Sequence, residues 1–392
     1  MAFTAKVSLM MVMKQRDEQR LDEQVLDEQV LKKLLAGGCI LGGGGGESMD
    51  MGWQAGCFAL SQGPLKLLPL NALDPQTLLA TASLVGAPAS GDKQVLPEDH
   101  VRAARVFKDS FTEPVGGFIS NENGGMASIN GWIAAATLGL PLIDAPCNGR
   151  AHPTGKMGGM GLHHVDDYLS CQAFAGGNRQ KSLYLEGYIQ GRLGPASRLV
   201  RQAAIQAGGL VTVIRNPVRA EYVKKFGAPG AITHAIETGD AFYQGYESGP
   251  GEAAVQVAHF LKGEIVCCGT ITRLCRKTRH GFDVGHLEAG AAELTFWNEY
   301  MTLEIRGERR YTFPDLIMTL DADSGKPLTS AEIQTGKKIR ILATRKENLV
   351  LSVTMNDLSL LEEIEPVVKK PIVPYNQSDA PASKPTMERP HE

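Results

Sequence analysis

One loop of this chain concentrates side chains of many chemical types. It follows the short apolar run from Leu140 to Ile143 and extends from Asp144 to His164. The loop carries a carboxylate, a thiol, an amide, two basic groups and three histidines: Asp144, Cys147, Asn148, Arg150, Lys156, His152, His163 and His164. Ligands of α/β sheets bind beyond the carboxyl ends of strands, and functional groups concentrate on loops held by a rigid scaffold. We therefore interpret this loop as part of a functional site. A long solvated connection is the alternative.

Two carboxylates follow predicted strands and are candidates for acid–base catalysis. Glu122 follows the predicted strand from Val115 to Ser120, and Asp144 ends the apolar run described above. A carboxylate at a strand end can activate water or orient a substrate. We predict that one of these two residues is the general base. A turn or helix-capping role is the alternative for Asp144.

Further residues are candidates for nucleophilic catalysis and substrate binding. Cys147 is a candidate nucleophile with His152 as its base, and an unreactive buried thiol is the alternative. Arg150 is expected to bind a carboxylate or carbonyl of the substrate with paired donors, and a salt bridge within the loop is the alternative. The other predicted substrate-binding residues are Gly43, Gly44, Gly45, Asn148 and Asp315.

A metal site is a further hypothesis. Histidine nitrogens and a carboxylate oxygen with one open position suit a zinc ion that activates water. We name His152, His163 and Asp144 as candidate zinc ligands. The alternative places His163 in the loop wall and His164 at the surface.

No nucleotide cofactor is expected, because Glu47 follows the glycine run Gly42 to Gly46 where a phosphate-binding loop needs lysine.

The element pattern predicts an α/β fold with a β-rich end. Helical periodicity covers 14–35, Gly37-Gly38 is a plausible helix end, and Cys39 to Leu41 then reads as a strand before the glycine run. Strands, glycine loops and helices alternate after that, whereas short strands dominate from Lys262 to Leu351.

We divide the chain into five parts. They are a flexible N-terminus (1–13), an α/β domain (14–168), its continuation (169–260), a smaller β-rich domain (261–368) and a disordered tail (369–392).

Composition excludes several classes of function. The net charge of −3 gives no broad field for nucleic acid or an acidic membrane. No apolar run approaches the ~20 residues that span a bilayer. Seven cysteines, two of them adjacent at Cys267 and Cys268, suit neither a disulfide framework nor a zinc ribbon. We expect a cytoplasmic protein that binds a small molecule, binds no nucleic acid or membrane, and forms a homo-oligomer.

Short motifs occur along the chain in a characteristic order. They are Ile40 to Gly46, Val85-Gly86-Ala87-Pro88, Glu122 with Gly124-Gly125, Asn130, Gly139-Leu140-Pro141, Asp144 with Gly149-Arg150-Ala151 and Pro153, Asn298-Glu299-Tyr300, Phe313 to Ile317, and the turn from Leu320 to Gly325. In their order and spacing, over about residues 20 to 365, the chain resembles the DUF917 family, which is also named for S-methyl-thiohydantoin desulfurases.

This resemblance implies an N-terminal α/β domain, a smaller β-rich C-terminal domain and a link to hydantoin-type ring metabolism. The activity for which the family is named removes sulfur from a thiohydantoin ring and leaves the carbonyl. In the family, the loop that begins at Asp144 has the acidic form Asp-Ala-Asp-Gly-x-Gly-Arg-Ala-Phe-Pro-Glu, and we call it the acidic loop. This chain departs from that form at Pro146-Cys147-Asn148 and at His152-Pro153-Thr154. We expect a hydrolase-like enzyme acting on a hydantoin or thiohydantoin ring. The alternative is a non-catalytic ligand-binding or partner subunit of a hydantoinase- or oxoprolinase-type system.

Overall fold

The structure is a computed structural model, and it describes residues 23–377. The flexible segment 1–13 and most of the predicted tail lie outside this range. Residues 369–377, which we assigned to the tail, are instead packed against the body of the protein. Ile372 is fully buried there, and the Asn376 amide donates to the carbonyl of Phe313 at 2.8 Å.

The first half of the chain builds a mixed sheet of eight strands. They are β1 (Gln24–Leu26), β2 (Leu65–Pro69), β3 (Leu78–Gly86), β4 (Gly117–Ser120), β5 (Leu142–Asp144), β6 (Ser170–Gly176), β7 (Leu185–Gly191) and β8 (Leu210–Arg219). Their order is β1-β2-β5-β4-β3-β8-β6-β7. The neighbours β2, β5, β4 and β3 are parallel, so β4 and β5 end at the same edge of the sheet.

Helices cover both faces of this sheet. They are α1 (Glu28–Leu41), α2 (Met49–Gln62), α3 (Pro97–Ser110), α4 (Trp132–Leu138), α5 (Leu193–Gln206), α6 (Ala220–Phe226), α7 (Ala231–Tyr246) and α8 (Pro250–Phe260). Side chains alternate between the faces of a strand. In β6, Ala173 and Ala175 therefore share a core with α3, whereas Phe174 packs with Val200 of α5.

The start of the chain differs from the predicted helix over 14–35. Residues 14–22 lie outside the described range, and Gln24–Leu26 form the edge strand β1, paired antiparallel with β2. Helix α1 then begins at Glu28, with Asp27 accepting a hydrogen bond from the Val30 amide at 2.8 Å. A side-chain acceptor at this position stabilises a helix start.

The predicted helix end at Gly37-Gly38 and the strand from Cys39 to Leu41 are wrong, because α1 continues to Leu41. The two glycines allow close helix contact instead. A Cβ at Gly37 would lie 1.8 Å from the carbonyl oxygen of Ala235 in α7, and a Cβ at Gly239 of α7 would lie 1.8 Å from that of Lys33. The glycine run therefore follows a helix, not a strand.

The second half of the chain builds an antiparallel sheet of eight strands. They are β9 (Glu264–Arg279), β10 (Phe282–Ala289), β11 (Ala292–Trp297), β12 (Glu299–Ile305), β13 (Glu308–Thr312), β14 (Leu316–Asp321), β15 (Pro327–Leu328) and β16 (Lys338–Thr344), in the order β13-β12-β11-β10-β9-β16-β14-β15. Two short helices, α9 (Leu358–Glu362) and α10 (Glu365–Val368), follow it. An α/β domain with a β-rich C-terminal domain was predicted, and the structure confirms this fold class.

Helices α1, α7 and α8 pack between the two sheets. Their apolar side chains share one core with β-strands of the first sheet and with Leu316, Leu320 and Leu342 of the second. Among residues 23–377, no helix has the length and apolarity needed to cross a membrane.

Candidate functional site

A polar cleft opens where the ends of the parallel strands meet the second sheet. It occupies about 550 Å³, counting its open mouth. One wall is the apolar stretch around Leu84, Val85 and Pro88. The polar wall consists of Glu47, Asn121, Glu122, Asn130, His152, Thr154, Arg201, Arg215, Asn298 and Glu299. The predicted acidic loop and the β-rich domain therefore contribute to one site.

Glu122 projects into the cleft directly beyond β4. Its side chain is buried, and its Oε2 accepts a hydrogen bond from the backbone amide of His152 at 3.2 Å. Burial raises the pKa of Glu122 to about 8, although that hydrogen bond and the charge of Arg215 act in the opposite direction. Glu122 can therefore exchange a proton near neutral pH, as acid–base catalysis requires.

His152 lies against Glu122. Its ring Nε2 is 3.2 Å from Oε2 of Glu122, but the angle is not that of a hydrogen bond, and neither ring nitrogen makes a well-aligned hydrogen bond among residues 23–377. Burial, followed by the charge of Arg215, lowers the pKa of His152 to about 3. The ring is therefore neutral and presents free donor and acceptor positions in the cleft.

Glu299 enters the same cleft from the second sheet. Asn298 adopts a left-handed conformation (φ 57°), which separates β11 from β12 and directs Glu299 inward. The chain from Ala292 to Ile305 therefore forms two strands that are separated at this residue. A Cβ at Gly45 would lie 2.0 Å from Oε1 of Glu299, so glycine leaves the space that the carboxyl group fills. Burial and the charge of Glu122 raise the pKa of Glu299 well above its usual range.

Two arginines complete the polar wall, Arg201 half-buried and Arg215 buried. Arg201 of α5 donates to the carbonyls of Gly86 and Gly281 at 3.0 and 2.7 Å, so its guanidinium fixes the rim. Arg215 of β8 is 3% exposed, and its Nε is buried without a partner. The backbone of Arg215 pairs with β3 and β6, but within residues 23–377 its side chain makes no hydrogen bond or ion pair. A buried cation of this kind is suited to an oxygen or an anionic group of a ligand.

The rim contains further polar groups. Glu47 pairs with Lys93 at 2.6 Å, and burial raises the pKa of Glu47 in spite of that cation. The Asn130 amide donates to Oδ1 of Asn121 at 2.9 Å, whereas the Asn130 oxygen is buried without a partner. These groups offer hydrogen-bond donors and acceptors to a ligand in the cleft.

Asp144 lies outside the cleft. Its carboxylate accepts hydrogen bonds from the backbone amides of Ile232 and Thr233 at 2.8 and 3.3 Å, and from the Thr233 hydroxyl at 2.5 Å. These groups form the first turn of α7, so Asp144 caps that helix from another element. Asp144 therefore has the helix-capping role that we gave as the alternative to catalysis.

Cys147 is fully buried and does not line the cleft. Its Sγ lies 3.2 Å from the Thr81 hydroxyl, and burial raises the thiol pKa to about 11. Since the thiolate is the nucleophilic form, this environment does not favour the predicted catalytic role.

Arg150 is also fully buried and outside the cleft. Its Nη1 donates to the carbonyls of Pro314 and Asp315, and the guanidinium stacks on the Phe313 ring at 4.5 Å. Arg150 therefore joins the acidic loop to the second sheet instead of facing a substrate. Asn148 has a similar role, because its Oδ1 accepts from the amide of Ser352 at 3.1 Å.

The other predicted substrate-binding residues pack inside the protein. Asp315 accepts from Arg345 and from the Lys346 amide, both at 2.9 Å. The carbonyls of Gly43 and Gly44 accept from the amides of Tyr300 and Ser330, each at 2.8 Å. The glycine run thus docks onto the second sheet, and of Gly42 to Gly46 only Gly46 lines the cleft.

The structure does not bring His152, His163 and Asp144 together as zinc ligands. His152 lies in the cleft and Asp144 caps α7, whereas Nε2 of His163 lies 3.1 Å from Oδ2 of Asp357. Within residues 23–377, one group of three His, Cys, Asp or Glu side chains has ligand atoms that all lie within 4.8 Å of one another. It consists of His163, His164 and Asp357.

The cleft also contains residues that we did not predict as site residues from the sequence: Glu299, Arg201, Arg215, Glu47, Asn130 and Asn298. Arg215 carries a signal that sequence reading missed. It interrupts the apolar run from Leu210 to Ile214 inside a strand, where an unpaired charge is costly. Arg201 lies on an ordinary amphipathic helix, so no local pattern distinguishes it.

Comparisons with known proteins agree with this architecture. The chain is similar over 88% of its length, with a TM-score of 0.61 and 17% identity, to a crystal structure of a protein from Chromobacterium violaceum, of which 96% is covered. No curated protein sequence matches the chain. The profile described as "S-Me-THD-like, N-terminal domain" matches residues 29–184, and "S-Me-THD-like, C-terminal domain" matches 194–355. The chain therefore belongs to the S-Me-THD-like family.

Proposed function

We propose that the protein is a hydrolase that acts on a small ring of the hydantoin or thiohydantoin kind and replaces a ring-bound sulfur by oxygen. The observation that carries the proposal is the pair of buried carboxyl groups, Glu122 and Glu299, with the neutral ring of His152 in one cleft. Membership of the S-Me-THD-like family supports the substrate class.

The proposed reaction uses one water molecule. Water adds to the ring carbon that carries the sulfur and is doubly bonded to nitrogen, which forms a C–O bond. The C–S bond then breaks. One water proton goes to the ring nitrogen and the other to the departing sulfur, so the products are a cyclic amide and a thiol. The step requires a base for water and an acid for the sulfur.

The two carboxyl groups can divide these roles. Nearby carboxyl groups cannot both ionise easily, and their macroscopic pKa values belong to the pair. The pKa of Glu299 is raised well above its usual range, so we assign the acid to Glu299. The pKa of Glu122 is about 8, so we assign the base to its ionised form. His152 would hold the water or the ring beside Glu122.

Arg215 is the group that we assign to substrate binding. It lines the cleft as a buried cation without a hydrogen-bond partner among the described residues. A ring carbonyl, or negative charge that develops on the ring during water addition, would supply the missing acceptor. Such donors stabilise developing charge strongly in a site shielded from water.

The test is turnover of an S-methyl-thiohydantoin by the purified full chain, measured as methanethiol release. We expect multiple turnovers, and a fall in kcat of about 10²- to 10⁴-fold in Glu122→Gln. Glu288→Gln is the matched control, because this side chain is 42% exposed on β10. Binding without turnover, or activity only after a partner subunit is added, would contradict the proposal and favour a ligand-binding subunit.

A substrate with an S-aryl group separates the two carboxyl roles. An aryl thiolate leaves without a proton, so it does not need the acid. We expect this substrate to restore most of the kcat lost in Glu299→Gln but not that lost in Glu122→Gln. Equal restoration in both variants would refute the assignment of base and acid.

A further inference from the structure

We propose a divalent-cation site, suited to zinc, formed by His163, His164 and Asp357 and distinct from the cleft. Nε2 of His163 and Nε2 of His164 lie 3.1 and 2.7 Å from the same oxygen, Oδ2 of Asp357. The three ligand atoms all lie within 4.8 Å of one another. None of the three residues lines the cleft.

These distances approach those of a zinc site. Zinc is bound tetrahedrally by imidazole nitrogen and carboxylate oxygen at about 2.0–2.2 Å, which places ligand atoms about 3.3 Å apart. The two nitrogen–oxygen distances here need to change by a few tenths of an ångström. Three protein ligands leave the fourth position for water.

The carboxylate of Asp357 is already oriented for this role. Its Oδ1 accepts hydrogen bonds from the backbone amide and the hydroxyl of Ser359, at 3.0 and 2.6 Å. Oδ2 therefore faces the two imidazoles. Hydrogen bonds of this kind to the second oxygen of a ligating carboxylate are common around bound metals and support affinity.

The site joins two distant parts of the chain. His163 and His164 belong to a short 3-10 turn, Leu162–His164, in the loop that carries His152. Asp357 follows a second turn, Val353–Asn356, beyond the last strand of the second sheet. The Thr354 hydroxyl also donates to the Met157 carbonyl at 2.6 Å across this junction. A bound cation would therefore fix the loop of His152 to the C-terminal segment.

The experiment is zinc binding to the full chain after removal of metals with a chelator. Calorimetry is expected to give one zinc ion per chain, with a rise in Tm on saturation. His164→Gln and Asp357→Asn are each expected to weaken binding at least tenfold. Asparagine keeps an oxygen that can accept from the Ser359 amide, so Asp357→Asn leaves the helix start capped. No binding, or binding unchanged in Asp357→Asn, would overturn the proposal.

Two controls identify the ligands. His152→Gln is expected to bind zinc as tightly as the unmodified chain, and loss of binding there would place the metal in the cleft and overturn this assignment. Cobalt(II) is the second probe, because thiolate ligands give an intense near-ultraviolet band that nitrogen and oxygen ligands lack. Such a band, abolished by Cys267→Ser with Cys268→Ser, would show binding at the cysteines instead. None of these readouts depends on the proposed hydrolase activity.

Discussion

Arg215 is a buried cation in the polar wall of the cleft. The residue is 3% exposed, and its Nε has no hydrogen-bond acceptor among the described residues. An uncompensated buried charge costs several kcal/mol of stability. A charge kept at such a cost in a cleft is best explained by a ligand that it binds.

We predict that Arg215→Met weakens substrate binding and stabilises the folded protein. Removal of the unpaired charge is expected to raise the free energy of unfolding by about 1–3 kcal/mol. Loss of a charged hydrogen bond to the substrate, about 1.5–3 kcal/mol, is expected to raise KM at least tenfold. Urea unfolding and initial-rate kinetics measure the two effects.

Arg219→Met is the matched control for this variant, because Arg219 ends the same strand and pairs with Glu113 at a partly exposed site. It is expected to change neither KM nor stability appreciably. A destabilised Arg215→Met protein with unchanged KM and kcat would mean that Arg215 has only a structural role.

Glu122 makes stability depend on pH. Its pKa in the folded protein is about 8, above the value of about 4.3 in an unfolded chain. The folded state then holds a proton that the unfolded state has released. The stability contributed by Glu122 is therefore fully present below about pH 4.3 and is lost as pH rises through about 8.

Glu122→Gln removes this titration. Between pH 5 and 8 we expect the unmodified chain to lose stability relative to Glu122→Gln. The difference between their free energies of unfolding should grow by at most about 1.4 kcal/mol per pH unit. Urea titrations at several pH values measure it. A constant difference across this range would show that Glu122 has an ordinary pKa.

At the scale of elements, the sequence predicted which acids lie at strand ends but not the role of each acid. Apolar runs followed by acids predicted that Glu122 and Asp144 lie at the ends of two neighbouring parallel strands, as observed. The amides that bind Asp144 belong to Ile232 and Thr233, 88 and 89 residues later in the chain. Because no local pattern encodes that contact, both acids looked equally catalytic.

The glycines of α1 also show that a local sequence pattern does not reveal contacts between distant segments. Read locally, Gly37-Gly38 indicates a helix end. The actual reason for small residues is the contact with α7, where a Cβ at Gly37 would lie 1.8 Å from the Ala235 carbonyl. Helix packing between distant segments thus overrides the local signal.

We predict that Gly37→Ala destabilises the protein by about 1–3 kcal/mol, because the helices must separate to admit the methyl group. Gly194→Ala in α5 is the matched control, since the added Cβ would have no neighbour closer than 3.5 Å. Alanine there is expected to stabilise by about 0.4–1 kcal/mol, because it reduces the conformational entropy of the unfolded chain. Equal effects of the two substitutions in urea unfolding would contradict this account of α1 and α7.

At the scale of the whole molecule, the site is produced by the meeting of two sheets. The alternation of elements predicted the α/β and β-rich parts, and the structure confirms them. The motif Asn298-Glu299-Tyr300 was visible in the sequence, but the sequence did not determine which groups Asn298 and Glu299 would meet. That depends on Gly45 admitting the Glu299 carboxyl and on Arg150 holding the Pro314 carbonyl, contacts between distant segments.

The most direct test of the central claim compares two strand-end acids in the methanethiol-release assay. We predict that Glu122→Gln lowers kcat about 10²- to 10⁴-fold with little loss of stability. Asp144→Ala is expected to lower stability by about 1–2 kcal/mol, through loss of its hydrogen bonds to α7, and to keep kcat within about threefold. The reverse result, with catalysis lost in Asp144→Ala and retained in Glu122→Gln, would contradict the assignment of the active site to this cleft.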